Sequence, residues 1–147
     1  DSRLIEADHQ KEFKKVHRCG DYAFWSIHGV EALQAELKKC KALCRFCHAL
    51  KSQAERKKWK RPDIIARRKI INAEKLKRGS CLTCKRRVTL MTACAFDFDH
   101  INPETKRMQV SNMVLKSWDY FNAHAKEEMS KCSMLCTSCH KIKTLKN

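Results

Sequence analysis

With 147 residues the chain has room for one ordinary domain or two very small ones, and its 43% hydrophobic and 7% aromatic content offers little material for a large core. Three Gly, two Pro and no apolar run near the roughly 20 residues of a spanning helix exclude collagen-like, low-complexity and membrane-helix classes. Against 16 Asp+Glu stand 32 Lys+Arg, a formal net charge of +16 that points to nucleic acid, while no long apolar face supports binding to a membrane surface.

In chain order, residues 1–50 carry a net charge of only +2. They begin at Asp1 rather than Met, which reads as processing, trimming or a fragment, and they carry no signal-peptide pattern. An intracellular protein is expected, with nuclear, cytosolic and organellar compartments all open. Asp8-His9 lies near the start, and Lys39–Lys51 reads K-C-x-x-L-C-x-x-C-H-x-x-K. The same pattern returns at Lys131–Lys143, and Asp8-His9, Val16 and Trp25 pair with Asp99-His100, Val110 and Trp118 at offsets of 91 to 94. Agreement over such rare residue types predicts two copies of one module, residues 1–52 and 79–147, in an α+β chain.

Residues 53–78 are expected to join the copies as a basic helix. Residues 51–90 hold +12 of the net charge, with Trp59 inside KKWKR. Pro62 suits a first helical turn, Asp63 complements the helix dipole and Gly79 supplies a stop. On a helical wheel Arg67, Arg68, Lys75 and Arg78 share one arc, with Ile65, Ile70, Ala73 and Leu76 over much of the rest and Ile64 and Ile71 intruding on the basic side. The basic side is expected in water or along phosphates. The candidate nucleic-acid contacts are Arg56, Lys57, Lys58, Lys60, Arg61, Arg67, Arg68, Lys75 and Arg78, continued by Lys85, Arg86 and Arg87.

The second copy holds two C-x-x-C knuckles, Cys81/Cys84 and Cys136/Cys139. Each tight turn supplies two thiolates, and four complete a tetrahedral structural zinc site that clamps a unit too small to hold itself together. Disulfides in a secreted domain are the rival, disfavoured by the basic flanks. The first copy retains Cys44 and Cys47, a possible second zinc pair. The earlier pair lies upstream of Asp1 or is lost, leaving Cys19, Cys40 and His17 as substitute ligands. As matched residues, Cys40 and Cys132 read as small buried side chains, as does Cys94. His17, His28 and His124 lack counterparts and read as ordinary surface or core histidines.

Residues 95–103 alternate apolar and acidic residues before Pro103, which predicts a strand running into a turn, and Trp118 to Lys131 is helix-rich. Phosphodiester hydrolysis needs a divalent cation on the phosphate and a general base for water. Asp99 and His140 could hold magnesium or another divalent ion, and His100 could serve as the base.

Cys81-x-x-Cys84, Phe96–Pro103 and Lys131-Cys132-x-x-Leu135-Cys136-x-x-Cys139-His140 resemble the zinc-stapled branch of the HNH, or ββα-metal, endonucleases across nearly all of residues 80–145. The resemblance implies catalytic roles for Asp99, His100 and His140 and a structural zinc on the four cysteines. Asp8, His9, Cys44, Cys47 and His48 resemble a degenerate copy. Two departures stand out. The family's middle Asn has no counterpart just before the second knuckle, where Glu128 to Lys131 lie, and Gln10-Lys11 replaces Asn-Pro after His9. A metal-dependent endonuclease is therefore the first expectation. The alternative is a non-catalytic RNA- or DNA-binding component of a ribonucleoprotein assembly such as a ribosome.

Overall fold

The computed structural model describes residues 4–55 and 61–146. The chain is mixed α+β and divides into two compact units between His48 and Ala49.

In the first unit, strand β1 (Ile5–His9) pairs antiparallel with β2 (Cys40–Cys44) in the register Ile5↔Cys44 to His9↔Cys40. Helices α1 (Tyr22–His28) and α2 (Val30–Leu37) intervene, and α3 (Arg45–Glu55), of which residues 45–48 belong to this unit, follows β2 directly. Asp21 starts α1 by accepting the Phe24 N–H, satisfying an otherwise orphaned donor. The core is thin: among the described residues of this unit, Trp25 and Phe46 are the buried hydrophobic side chains.

The second unit begins with the predicted basic helix, α4 (Pro62–Arg78). Pro62 occupies its first turn, and Gly79, at φ 80°, closes it by donating to the Lys75 and Leu76 carbonyls. After the Cys81 loop come β3 (Phe96–His100), α5 (Val110–Met113), α6 (Trp118–Ser130), β4 (Cys132–Cys136) and α7 (Thr137–Thr144). β3 and β4 pair antiparallel in the register Phe96↔Cys136 to His100↔Cys132. Both units thus contain a strand, a helical excursion, a returning strand and an immediate helix, with matching registers.

The core of the second unit gathers Val110, Met113, Val114, Phe121, Ala125, Met129 and Cys132 with Ile64 and Ile71 of α4. The helix expected to link two modules therefore packs into one of them, and its facing corrects the sequence reading. Its buried stripe is Ile64, Arg67, Ile71 and Lys75, whereas Ile65 and Ile70 are exposed. Arg67 donates through Nε to the Val114 carbonyl at 2.8 Å and through Nη2 to Asp63, with its guanidinium over the Trp118 ring. Lys75 donates to the Ala93 carbonyl, and its burial lowers the ammonium pKa. Arg78 donates to the Cys132 and Met129 carbonyls and lies over Phe98. Long basic side chains can bury their stems and satisfy their heads on backbone carbonyls. Arg67, Lys75 and Arg78 consequently staple the unit together, the first two buried and Arg78 half-buried.

A second correction concerns the repeat. The backbone N–H groups of Arg107 and Met108 reach Glu128, and that of Val16 reaches Glu36, so Val16 corresponds to the 107–108 turn and not to Val110.

Candidate metal centre and strand-helix site

Two loops of the second unit converge on its sulfurs. The turn Cys81–Lys85 is closed by the Lys85 N–H on the Cys81 carbonyl and docks onto β4 through the Leu82 N–H and the Met134 carbonyl at 2.9 Å. The opposing knuckle is the first turn of α7, capped by the Cys136 sulfur, which accepts the Cys139 N–H. One sulfur from each of Cys81, Cys84, Cys136 and Cys139 lies within 4.8 Å of all the others. Cys84 and Cys136 are 3.7 Å apart, and two thiolates on a tetrahedral zinc ion lie roughly 3.8 Å apart. None of the ten cysteines is joined in a disulfide. Burial raises the Cys81 thiol, but N–H groups of Cys136, Cys84 and Thr83 aimed at its sulfur outweigh that and bring it to about 7. Cys139 is pushed up by burial and by the Cys136 and Cys84 sulfurs. Four crowded thiols of this kind suit a dication, so this grouping could hold a metal such as zinc.

Cys44 and Cys47 differ. The groups of three or more donors found among the described residues do not include them. The other grouping able to hold a metal is His9, Cys19 and Cys40. His17 stands outside it, bonded to Asp21 and stacked on Phe24. Cys132 is buried, as expected from its pairing, and donates to the Glu128 carbonyl.

The strand-helix site follows from strand alternation, which sends Asp97 and Asp99 toward α7 and leaves Phe96, Phe98 and His100 to the other face. His140, on the first turns of α7, meets both acids. Its Nδ1 lies 2.9 Å from an Asp97 oxygen and its Nε2 lies 3.5 Å from Asp99 Oδ1. A carboxylate on one ring nitrogen fixes the tautomer and orients the other nitrogen, the arrangement common behind metal-binding histidines. Two ligand atoms on one cation at about 2.1 Å stand roughly 3.0–3.4 Å apart, close to the Asp99–His140 separation. Lys143, one turn further along α7, donates to the other Asp99 oxygen.

His100 goes elsewhere. The residue is only 8% exposed, and Nε2 lies 2.7 Å from Glu128 Oε1 on α6. Glu128 also accepts from Arg107 N–H, Met108 N–H and Lys131 Nζ. Burial pushes the Glu128 carboxyl up, but Arg107, His100 and Lys131 outweigh it and hold it at about 2. An ionised Glu128 accepts from His100 Nε2–H. The structure thus joins Asp99 with His140 and sets His100 against α6.

The first unit repeats the histidine–acid contacts. Glu6 bonds His48 Nδ1, Asp8 Oδ1 lies 3.5 Å from His48 Nε2, and His9 Nε2 lies 2.8 Å from Glu36 Oε1. Lys39 bonds Glu36 as Lys131 bonds Glu128. Sequence reasoning missed Glu6, Glu36, Asp97 and Lys143. The signal was present: an acid stands two residues before each Asp-His aspartate, and a Glu stands four before Cys40 and four before Cys132.

Among the candidate nucleic-acid contacts, Arg61, Lys85, Arg86 and Arg87 are exposed and Arg68 is half-buried. Arg56, Lys57, Lys58 and Lys60, with Trp59, lie outside the described residues. Compared with known proteins, the chain matches no family model, no curated protein and no solved structure.

Proposed function

We propose that the protein is a nucleic-acid phosphodiesterase of the HNH type, a zinc-clamped ββα unit that cuts DNA or RNA with a divalent ion at Asp99 and His140. The observation that carries this reading is the Asp97–His140–Asp99 line, in which one acid orients the imidazole and the other lies 3.5 Å from its second nitrogen. Magnesium or another divalent ion held there would neutralise charge on a scissile phosphate. Asp99 and His140 supply the ligand atoms, Asp97 fixes the ring and Lys143 adds a cation beside the phosphate position. His100, held at Nε2 by Glu128, is the general base of this reading. Lys85, Arg86 and Arg87, exposed on the zinc loop, provide electrostatic affinity without sequence specificity.

The burial of His100 and the ion pair between Lys143 and Asp99 favour a second reading, a non-catalytic clip for a nucleic-acid assembly. One experiment separates the two. The full chain, zinc-loaded, is incubated with supercoiled plasmid and with structured RNA in magnesium or manganese. Cleavage that falls at least about 100-fold in both His140→Ala and His100→Ala supports the nuclease. Absence of cleavage, with salt-sensitive binding that both variants retain, overturns it in favour of the clip.

A further inference from the structure

We propose that the first unit carries its own zinc site, made by His9, Cys19 and Cys40, with a fourth position left open to water or a small anion. The inference does not depend on the nuclease reading.

The donor atoms already stand at metal-binding separations. Cys19 Sγ is 3.8 Å from Cys40 Sγ and 3.9 Å from His9 Nε2, and all three atoms lie within 4.8 Å of one another. The first value matches the 3.7 Å between Cys84 and Cys136 in the four-sulfur cluster. On a tetrahedral zinc ion, sulfur and imidazole nitrogen would stand roughly 3.6 Å apart. A disulfide would need its sulfurs about 2.05 Å apart. Two thiolates and an imidazole select zinc over magnesium or calcium, which prefer oxygen.

The comparison between units explains why the site belongs to the first alone. His9 and Cys40 face each other across β1 and β2 as His100 and Cys132 do across β3 and β4. Residues 91 and 92 beyond Cys19 are Val110 and Ser111, so the second unit has no third donor. Its Cys132 remains a buried thiol bonded to a helix carbonyl. Cys19 lies before α1, so an ion here would tie that loop to both strand ends. Such a tie suits a unit whose buried core holds little beyond Trp25 and Phe46.

Three protein ligands leave zinc one position short of a tetrahedron. His9 and Cys19 line an open cleft of about 1050 Å³, with Asp8, Lys15, Arg18 and His48 also on its walls, and a fourth ligand can approach from that side. Zinc binding releases the two thiol protons, and the neutral His9 ring presents its Nε2 lone pair with its proton on Nδ1. Glu36 Oε1, 2.8 Å from that nitrogen, then adjoins the ion instead of accepting from the ring.

The test uses the full chain, reduced, stripped of metal and reloaded with zinc or cobalt(II). Two zinc ions per chain are expected, falling to one in Cys19→Ser and to one in Cys84→Ser. With cobalt, Cys84→Ser is expected to retain a two-thiolate spectrum that azide shifts, and Cys19→Ser a four-thiolate spectrum that azide leaves alone. His9→Asn serves as the second variant and should remove the same azide-sensitive signal. One zinc per chain, unchanged by Cys19→Ser and lost in Cys84→Ser, would overturn the proposal while leaving the four-cysteine clamp standing. A Cys19–Cys40 disulfide that persists in zinc overturns it as well, and a two-thiolate spectrum indifferent to azide overturns the open fourth position.

Discussion

The two strand-strand-helix motifs share register, the His–acid contacts of the following helix and the buried Glu beneath the first strand, yet they are held together by different means. In the second unit, a helix contributed from outside the motif brings Ile64 and Ile71 to a core that also contains Phe121, Met113 and Met129. Four sulfurs then close its other end. The first unit lacks both supports among the described residues and keeps its polar contacts intact. Polar geometry can therefore persist where the hydrophobic frame is slight, provided every buried donor and acceptor is satisfied. Degeneracy read from motif letters alone, such as Gln10-Lys11 after His9, does not extend to the atoms around His48.

The largest expected effect comes from removing one clamp sulfur. In Cys136→Ser the three remaining thiols bind zinc weakly, and the second unit should lose tertiary order, with a destabilisation on the order of 5 kcal/mol or more. Bound zinc and the near-ultraviolet signal of Trp118 report this directly. In the first unit the homologous change, Cys44→Ser, is expected to leave metal content unchanged, because the metal-sized group found there among the described residues is His9, Cys19 and Cys40. Equal metal loss in both variants would break the contrast.

An intermediate effect is expected at the shared buried acid. Glu128→Gln weakens contacts to His100, Lys131 and two backbone N–H groups, and should cost about 2–3 kcal/mol at neutral pH. The pH dependence has a definite sign. Its folded pKa of about 2 lies below the ordinary 4.5, so the unfolded chain binds the extra proton between those values. Stability from this carboxylate is fully present above pH 4.5 and is lost as pH falls toward 2. The gap between wild type and Glu128→Gln in denaturant unfolding should close over that window. Glu36, also held at about 2, first by Lys39 and then against its own burial by Val16 and His9, should close its gap over the same range.

Much of this arrangement was legible in the sequence where a residue type has one main use. The four cysteines announced their cluster by spacing, Pro62 and Gly79 marked both ends of α4, and the alternation before Pro103 located β3. What escaped were residues whose role depends on the third dimension. Arg67, Lys75 and Arg78 counted as surface charge, although Ile64 and Ile71 on the same side already indicated the buried face. Asp99 and His100 are adjacent in the chain, and the pleat of a strand gives them different partners, His140 for the first and Glu128 for the second. Cys40 and Cys132 occupy equivalent positions yet have different surroundings, because only the first has Cys19 opposite it. A one-dimensional repeat cannot register that difference.

The smallest effect is expected at Lys85, in the turn Cys81–Lys85 of the second unit. Its φ of 59° places a non-glycine residue in the left-handed region, where its N–H turns back to the Cys81 carbonyl at 3.1 Å. That conformation costs a side-chain-bearing residue about 1 kcal/mol, while glycine adopts it freely but gives up more entropy on folding. Lys85→Gly should therefore raise the stability of the zinc-loaded second unit by no more than about 1 kcal/mol, and Lys85→Val should lower it by more than that. Zinc competition against a chelator, alongside thermal unfolding, resolves the pair. The same glycine variant removes one exposed charge. If Lys85 touches phosphate, the logarithmic salt dependence of nucleic-acid binding should fall by about 0.7–0.9 while zinc retention is unharmed, which separates its place in the loop from its place at the surface.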